Sequence, residues 1–234
     1  MALQSLPGAF SLDRTRNATA QVFAHLREKI VTNVLEPGTV LARQQLADYF
    51  KLSMTPIRDA LLRLEEERLV DLCPQHLRRV SAIDLTSARQ AHVLRLSVEL
   101  DTAHQLCGRC PPALDGELAG PLARQRVAPE RGDLESFARA DLEFHRTLYM
   151  AADVADLWHL VRRLSGNPDR LRRLRLPSNR KAQRILDDHG EIAGAIAAGD
   201  SEQARNAVRR HLSGTLSELD ALRKKYPDFV LPPP

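Results

Sequence analysis

Four residues of this chain have the types and spacing to share one ion. Asp141 and His145 stand four apart, so their side chains leave one helix face a turn apart. The rest of that face is apolar, with Phe137, Leu148 and Ala152. An aspartate there is costly unless it is paired or bound to metal. His189 lies on a second apolar stripe with Ile185, Ile192 and Ile196, and His211 on a third with Ala204, Val208 and Thr215. Gly199 reads as a helix C-cap and Asp200 with Gln203 as an N-terminal capping pair, which predicts a tight antiparallel helix hairpin. His189 falls ten residues before Gly199, and His211 eleven after Asp200. At about 1.5 Å per residue, both lie roughly 15–16.5 Å from the turn, nearly level. Three imidazoles and a carboxylate suit zinc, with nickel, manganese or iron as alternatives. Each residue alone has a plainer reading: a core histidine satisfied by a neighbour, or an Asp–His ion pair.

A second group could meet nucleic acid. Helical patterns run over about 17–33, 43–50 and 54–67, followed by strand-like runs at 69–72 and 79–83 around Pro74-Gln75. Three helices and a hairpin in about 70 residues are the layout of a winged helix-turn-helix. Lys51-Leu52-Ser53 supplies the short turn, and Ser53 or Thr55 can cap the third helix. Ile57, Leu61 and Leu64 form its buried stripe, which leaves Met54, Thr55 and Arg58 outward at the helix start. That is the part of the motif that enters the major groove, where arginine can pair with a guanine edge. Arg43, Gln44 and Ser53 are further candidate contacts, and Arg78 and Arg79 in the hairpin could reach a phosphate or the minor groove. Arg58 alone could equally be a solvated helix residue.

From Thr86 onward the pattern is helical, with helices expected at about 87–107, 134–152, 154–165, 168–175, 180–198 and 201–225. Residues 111–133, rich in Pro and Gly, read as a broken connection with at most one short helix near 119–126. The expected domains are a mobile tail over 1–12, a winged helix-turn-helix over 13–83, and an all-helical antiparallel bundle over 88–226. The fold class is therefore mainly α. Bulk properties agree: 234 residues, 43% hydrophobic, 27% charged and only 4% aromatic exclude a disordered chain and a disulfide scaffold. The net charge of +4 is a weak hint of nucleic acid. Three cysteines, no readable signal peptide and no long apolar run suggest a cytoplasmic protein away from membranes.

The ensemble Pro37-Gly38, Gln45-Leu46-Ala47, Ser53-Met54-Thr55-Pro56-Ile57-Arg58-Asp59-Ala60-Leu61, Leu64-Glu65 and Leu69-Val70 resembles the N-terminal domain of GntR-type bacterial transcription regulators over about residues 20–83. Met54, Gln44, Lys51 and Leu77 depart from that family, which often has Arg at the first two and Gly at the last two. Arg95 with Glu99, Asp141 with Phe144-His145, His189 with Ile192 and Ala195-Ile196, Gly199-Asp200 and Arg210-His211-Leu212 resemble the FadR-type, FCD ligand-binding domain over about 88–225. The resemblance implies that Asp141, His145, His189 and His211 ligate a divalent metal. It also implies a small carboxylate effector with Arg95 closing the site, and a homodimer on a palindromic double-stranded DNA operator.

The function expected is a metabolite-responsive repressor that is not an enzyme. The alternative is a metal-dependent enzyme acting on a small organic acid through the Asp/His3 site. Arg95 and Glu99 could instead simply pair with each other. Cys107 and Cys110 form a lone Cys-x2-Cys, for which no redox role is assigned. The basic run over 162–184 reads as a solvated face, or as offering one inward arginine to an acidic effector.

Overall fold

The computed structural model describes residues 10–74, 77–174, 179–214 and 219–231. The wing turn at Gln75, Arg175, Thr215 and most of the expected N-terminal tail lie outside them. The chain forms two compact units: residues 1–88 with 164–175 and 218–234, and residues 89–163 with 176–217. Among the described residues no helix is long and apolar enough to cross a membrane.

In the first unit, α1 (Ala18–Val31) starts where the Asn17 side chain accepts from the Ala20 N–H, covering an otherwise unpaired donor. It buries Val22, Leu26 and Ile30 at helical spacing against α3 (Met54–Glu66). Between them, α2 (Arg43–Phe50) stops at Lys51, whose φ of 53° is left-handed. That conformation favours glycine, which is why a lysine at this turn stands out. Ser53 occupies the N-cap position of α3, but its side chain makes no capping bond. The wing is β1 (Val70–Leu72) antiparallel to β2 (Arg78–Val80), with Val70 opposite Val80. Phe10 packs edge-on against Phe50 at 4.7 Å between ring centroids, so the expected tail is anchored by its tenth residue.

One helix of this unit comes from far along the chain. α8 (Gly166–Leu174) packs on α1 and buries Gly166 through Leu171. Arg170, 0% exposed, donates to the Ser81 carbonyl at 2.8 Å and to Asn33 Oδ1 at 3.3 Å. The Asn33 amide returns a bond to the Arg170 carbonyl. The basic run is therefore not a uniform solvated face. Its inward arginine satisfies backbone and side-chain acceptors of the first unit, as a buried charge requires.

The second unit comprises α4 (Leu85–Gly108) from residue 89 onward, α5 (Leu114–Val127), α6 (Leu134–Ala151), α7 (Ala155–Leu164) up to residue 163, α9 (Asn179–Ala197) and α10 (Ser201–Ser213). α5 corrects the expectation of a broken connection. It runs through Pro121, which is buried with Leu114, Leu118 and Gln125; apolar packing outweighs the hydrogen bond a proline removes. The expected helix over 201–225 is α10 and a separate α11 (Leu219–Lys225), with 215–218 undescribed. Gly199, at φ 71°, closes α9, and the Asp200 side chain caps α10 by accepting from the Gln203 N–H.

Candidate metal centre and nucleic-acid interface

α6 begins where the Asp133 side chain accepts from the Ser136 N–H, and it buries Phe137, Ala140, Asp141, Phe144, His145, Leu148 and Tyr149. This stripe delivers Asp141 and His145 to the interior of the second unit. The α9–α10 hairpin delivers His189 and His211. One ligand atom from each of the four residues lies within 4.8 Å of all the others. His211 Nε2 is 3.1 Å from His145 Nε2 and 3.2 Å from His189 Nε2. Asp141 Oδ1 is 3.7 Å from His189 Nε2.

The opposite ring nitrogens explain this convergence. His189 Nδ1 lies 2.8 Å from Gln125 Oε1. An amide oxygen can only accept, so Nδ1 carries the proton and Nε2 presents a lone pair. His145 Nδ1 lies 2.9 Å from a Glu99 carboxylate oxygen, an ion-pair contact outside hydrogen-bond geometry, and its Nε2 is thereby turned toward the other two rings. His211 Nδ1 faces Asp188 Oδ2 at 3.9 Å. His211 Nε2 sits within hydrogen-bond distance of both other Nε2 atoms: protonated, it donates to a neighbour, and deprotonated, it completes a set of three lone pairs that a cation would hold together. Metal–nitrogen bonds of about 2.0–2.1 Å place neighbouring ligand nitrogens about 2.9 Å apart at right angles and about 3.3 Å apart in a tetrahedron. The observed 3.1 and 3.2 Å fall between those limits. The donor set fits a divalent metal.

The surroundings keep His189 and His211 neutral, the form that ligates. Burial pushes His189 down to about 4, against the pull of Asp141 and Glu99. Burial and the neighbouring His189 and His145 hold His211 well below its ordinary value. The Phe144 ring stacks on His189 at 4.0 Å between centroids and 11° between planes, fixing the imidazole plane. Arg95 lies beside this centre, its Nε 2.6 Å from Glu99 Oε1. Burial opposes its charge, but Glu99 and Asp141 outweigh that and raise its pKa. The pairing of Arg95 with Glu99 is thus present, and Glu99 also faces His145. Sequence spacing reveals Glu99 only as the partner of Arg95. Gln125 carried no usable signal, because its stretch read as a connection.

In the first unit the start of α3 presents Ser53, Met54, Thr55 and Arg58 to solvent, while Ile57, Ala60, Leu61 and Leu64 are buried. Arg58 bonds its neighbour Asp59 at 3.1 Å. Gln44 is exposed on α2 and donates to Asp48, and Arg43 beside it is half-buried. The hairpin arginines part company. Arg79 is exposed, whereas Arg78 is 8% exposed, with its guanidinium 3.6 Å from Glu65. Strand alternation puts Arg78 on the inner face with Val80 and Arg79 on the outer one.

Comparison with known proteins fits both units. Residues 18–76 match the gntR family of bacterial regulatory proteins, and residues 90–214 match the FCD domain. The chain belongs to the GntR family of regulators that carry an FCD domain. An uncharacterized HTH-type transcriptional regulator in an unstable DNA locus of Streptomyces ambofaciens is 33% identical, with 92% of this chain and 90% of that protein covered. The HTH-type transcriptional repressor RspR of Escherichia coli is 26% identical over 93% of this chain and 96% of its own length. The solved structure of E. coli McbR/YncC shares the fold, with a TM-score of 0.75 at 21% identity over 90% of this chain and 99% of that one. This GntR-family protein is a DNA-binding transcription regulator and not an enzyme, so the metalloenzyme alternative falls.

Proposed function

We propose that this regulator is a metabolite-responsive repressor whose second unit holds a divalent metal, zinc in the first instance, and a small carboxylate effector. Asp141, His145, His189 and His211 are the proposed ligands. The observation that carries the reading is the convergence of three imidazole Nε2 atoms, with 3.1 and 3.2 Å between neighbours and Nδ1 of His189 and His145 turned to Gln125 and Glu99. Arg95, cationic and close enough to feel Asp141, supplies the charge to meet a carboxylate at the metal. Repression is supported by RspR, a repressor similar along nearly its whole length.

DNA reading falls to the exposed start of α3, with Thr55 and Arg58 toward base edges and Ser53, Met54, Arg43, Gln44 and Arg79 beside them. Arg78, held by Glu65, is left out of this set. We further propose a cytoplasmic homodimer on a palindromic operator, since two-fold protein symmetry calls for two half-sites. The effector changes operator affinity only as far as it prefers one arrangement of the protein over another.

Fluorescence anisotropy tests this reading, using DNA from around the protein's own gene against scrambled DNA at one salt concentration, because phosphate contacts alone give sequence-blind, salt-dependent binding. Preference for one fragment, relieved by a small carboxylate only when metal is present, is the expected result. Sequence-preferring binding that no metal or carboxylate alters would overturn the effector reading.

A further inference from the structure

Glu99 does two things with one carboxylate. Its Oε1 lies 2.6 Å from Arg95 Nε and its Oε2 lies 2.9 Å from His145 Nδ1. The side chain is 4% exposed, so these two partners rather than water define its surroundings. α4 sets both contacts: Arg95 and Glu99 are one turn apart on one face, and that face meets His145 of α6. A buried carboxylate shared by a guanidinium and an imidazole gives less to each as the other draws on it.

From this geometry we propose that Glu99 is a positioning residue that couples metal occupancy at His145 to the readiness of Arg95 to take an anion. The inference rests on the metal reading above and adds a regulatory link within that site. A metal on His145 Nε2 would withdraw electron density from the ring and strengthen the attraction between its Nδ1 side and the Glu99 carboxylate 2.9 Å away. Glu99 then holds Arg95 less strongly, and the guanidinium turns to an incoming carboxylate. Without metal, Glu99 neutralises Arg95 and the anion site is shut. Linkage makes the effect reciprocal: an anion that takes Arg95 frees Glu99 for His145 and tightens the metal.

The test uses the chelator-stripped full-length protein and cobalt(II) alone as the probe, its affinity measured by competition with a chelator and its ligand field by the visible absorption band. Glu99→Gln, close in shape, is expected to weaken cobalt(II) about 10–100-fold, the usual effect of removing a ligand's outer partner. Arg95→Gln is expected to tighten cobalt(II), by at least about threefold more with Glu99 present than with Gln at position 99, which is the signature of coupled residues. Glu99→Asp retains the charge but falls one methylene short of spanning both partners. It serves as the second variant if Glu99→Gln does not fold, and it too is expected to lose the coupling. Additive effects of Arg95→Gln and Glu99→Gln, or a Glu99→Gln protein that binds cobalt(II) like wild type, would overturn the link while leaving the metal centre standing. A wild-type protein that takes up no cobalt(II) overturns both.

Discussion

Both compact units bury polar groups, but they arrange them differently. The first packs an apolar core of Val22, Leu26, Ile30, Leu46, Ile57, Leu61 and Leu64 and spreads its buried polar groups around it in separate contacts such as Arg170 with Ser81 and Ser165 with Asp169, while its candidate DNA contacts lie on the exposed side of α3. The second buries Glu99, Gln125, Asp141, His145, Asp188 and His189 around one point. Burying so many polar groups costs stability unless they serve each other or an ion. In one unit the core supports candidate contacts on the surface; in the other the proposed site is inside the core.

That contrast can be broken in several places, and the largest effect belongs to the metal. His189→Ala or His211→Ala is expected to abolish one-to-one metal uptake at micromolar concentration and leave sequence-specific DNA binding by the first unit measurable. Dialysis against zinc followed by elemental analysis checks it, and full occupancy in both variants would remove the site. Arg58→Ala should do the reverse. One lost base contact is worth about 1–3 kcal/mol, or roughly 5- to 150-fold in operator affinity, while metal content stays at the wild-type level. Near-normal anisotropy titrations with that variant would move base reading elsewhere on α2 and α3.

Packing offers a third test. A Cβ on Gly166 would lie 2.6 Å from Leu69 Cδ2, so Gly166→Ala forces α8 and the first unit to shift. Overpacking of this kind costs about 1–3 kcal/mol, read as a lowered denaturation midpoint. An unchanged midpoint would mean that α8 is not bound into that core.

Acid should act on the second unit. Burial depresses His189 to about 4 and holds His211 low, so both stay neutral when folded while the unfolded chain takes up protons below about 6.5. Stability of the metal-free protein is then fully present above pH 6.5 and is lost as pH falls toward about 4. Thermal melts in chelator at pH 7.5 and 5 check the sign, and identical melting temperatures would contradict it.

Much of both units was legible from local signals. Lys51-Leu52-Ser53 marks the turn between α2 and α3, and Gly199-Asp200 levels His189 with His211 by residue count alone. What escaped depended on long-range packing. α5 ran through Pro121 because Leu114, Leu118 and Gln125 were buried, and no local preference foretells that. Arg170 looked like one of nine basic residues in a run, yet it is bonded to Ser81 and Asn33, both more than 80 residues away in sequence. Arg78 and Arg79 were indistinguishable until the hairpin register placed one on each face. Glu99 was visible as a helical partner of Arg95, but its contact with His145 required α4 and α6 to meet.

Elemental analysis of the folded, as-purified wild-type protein tests the central claim most directly. One divalent ion per chain, removed by chelator and restored by zinc, is the result expected from the convergence of His145, His189 and His211. A fully folded protein that carries no metal, and takes up none on dialysis against zinc, nickel, manganese or iron, would contradict it.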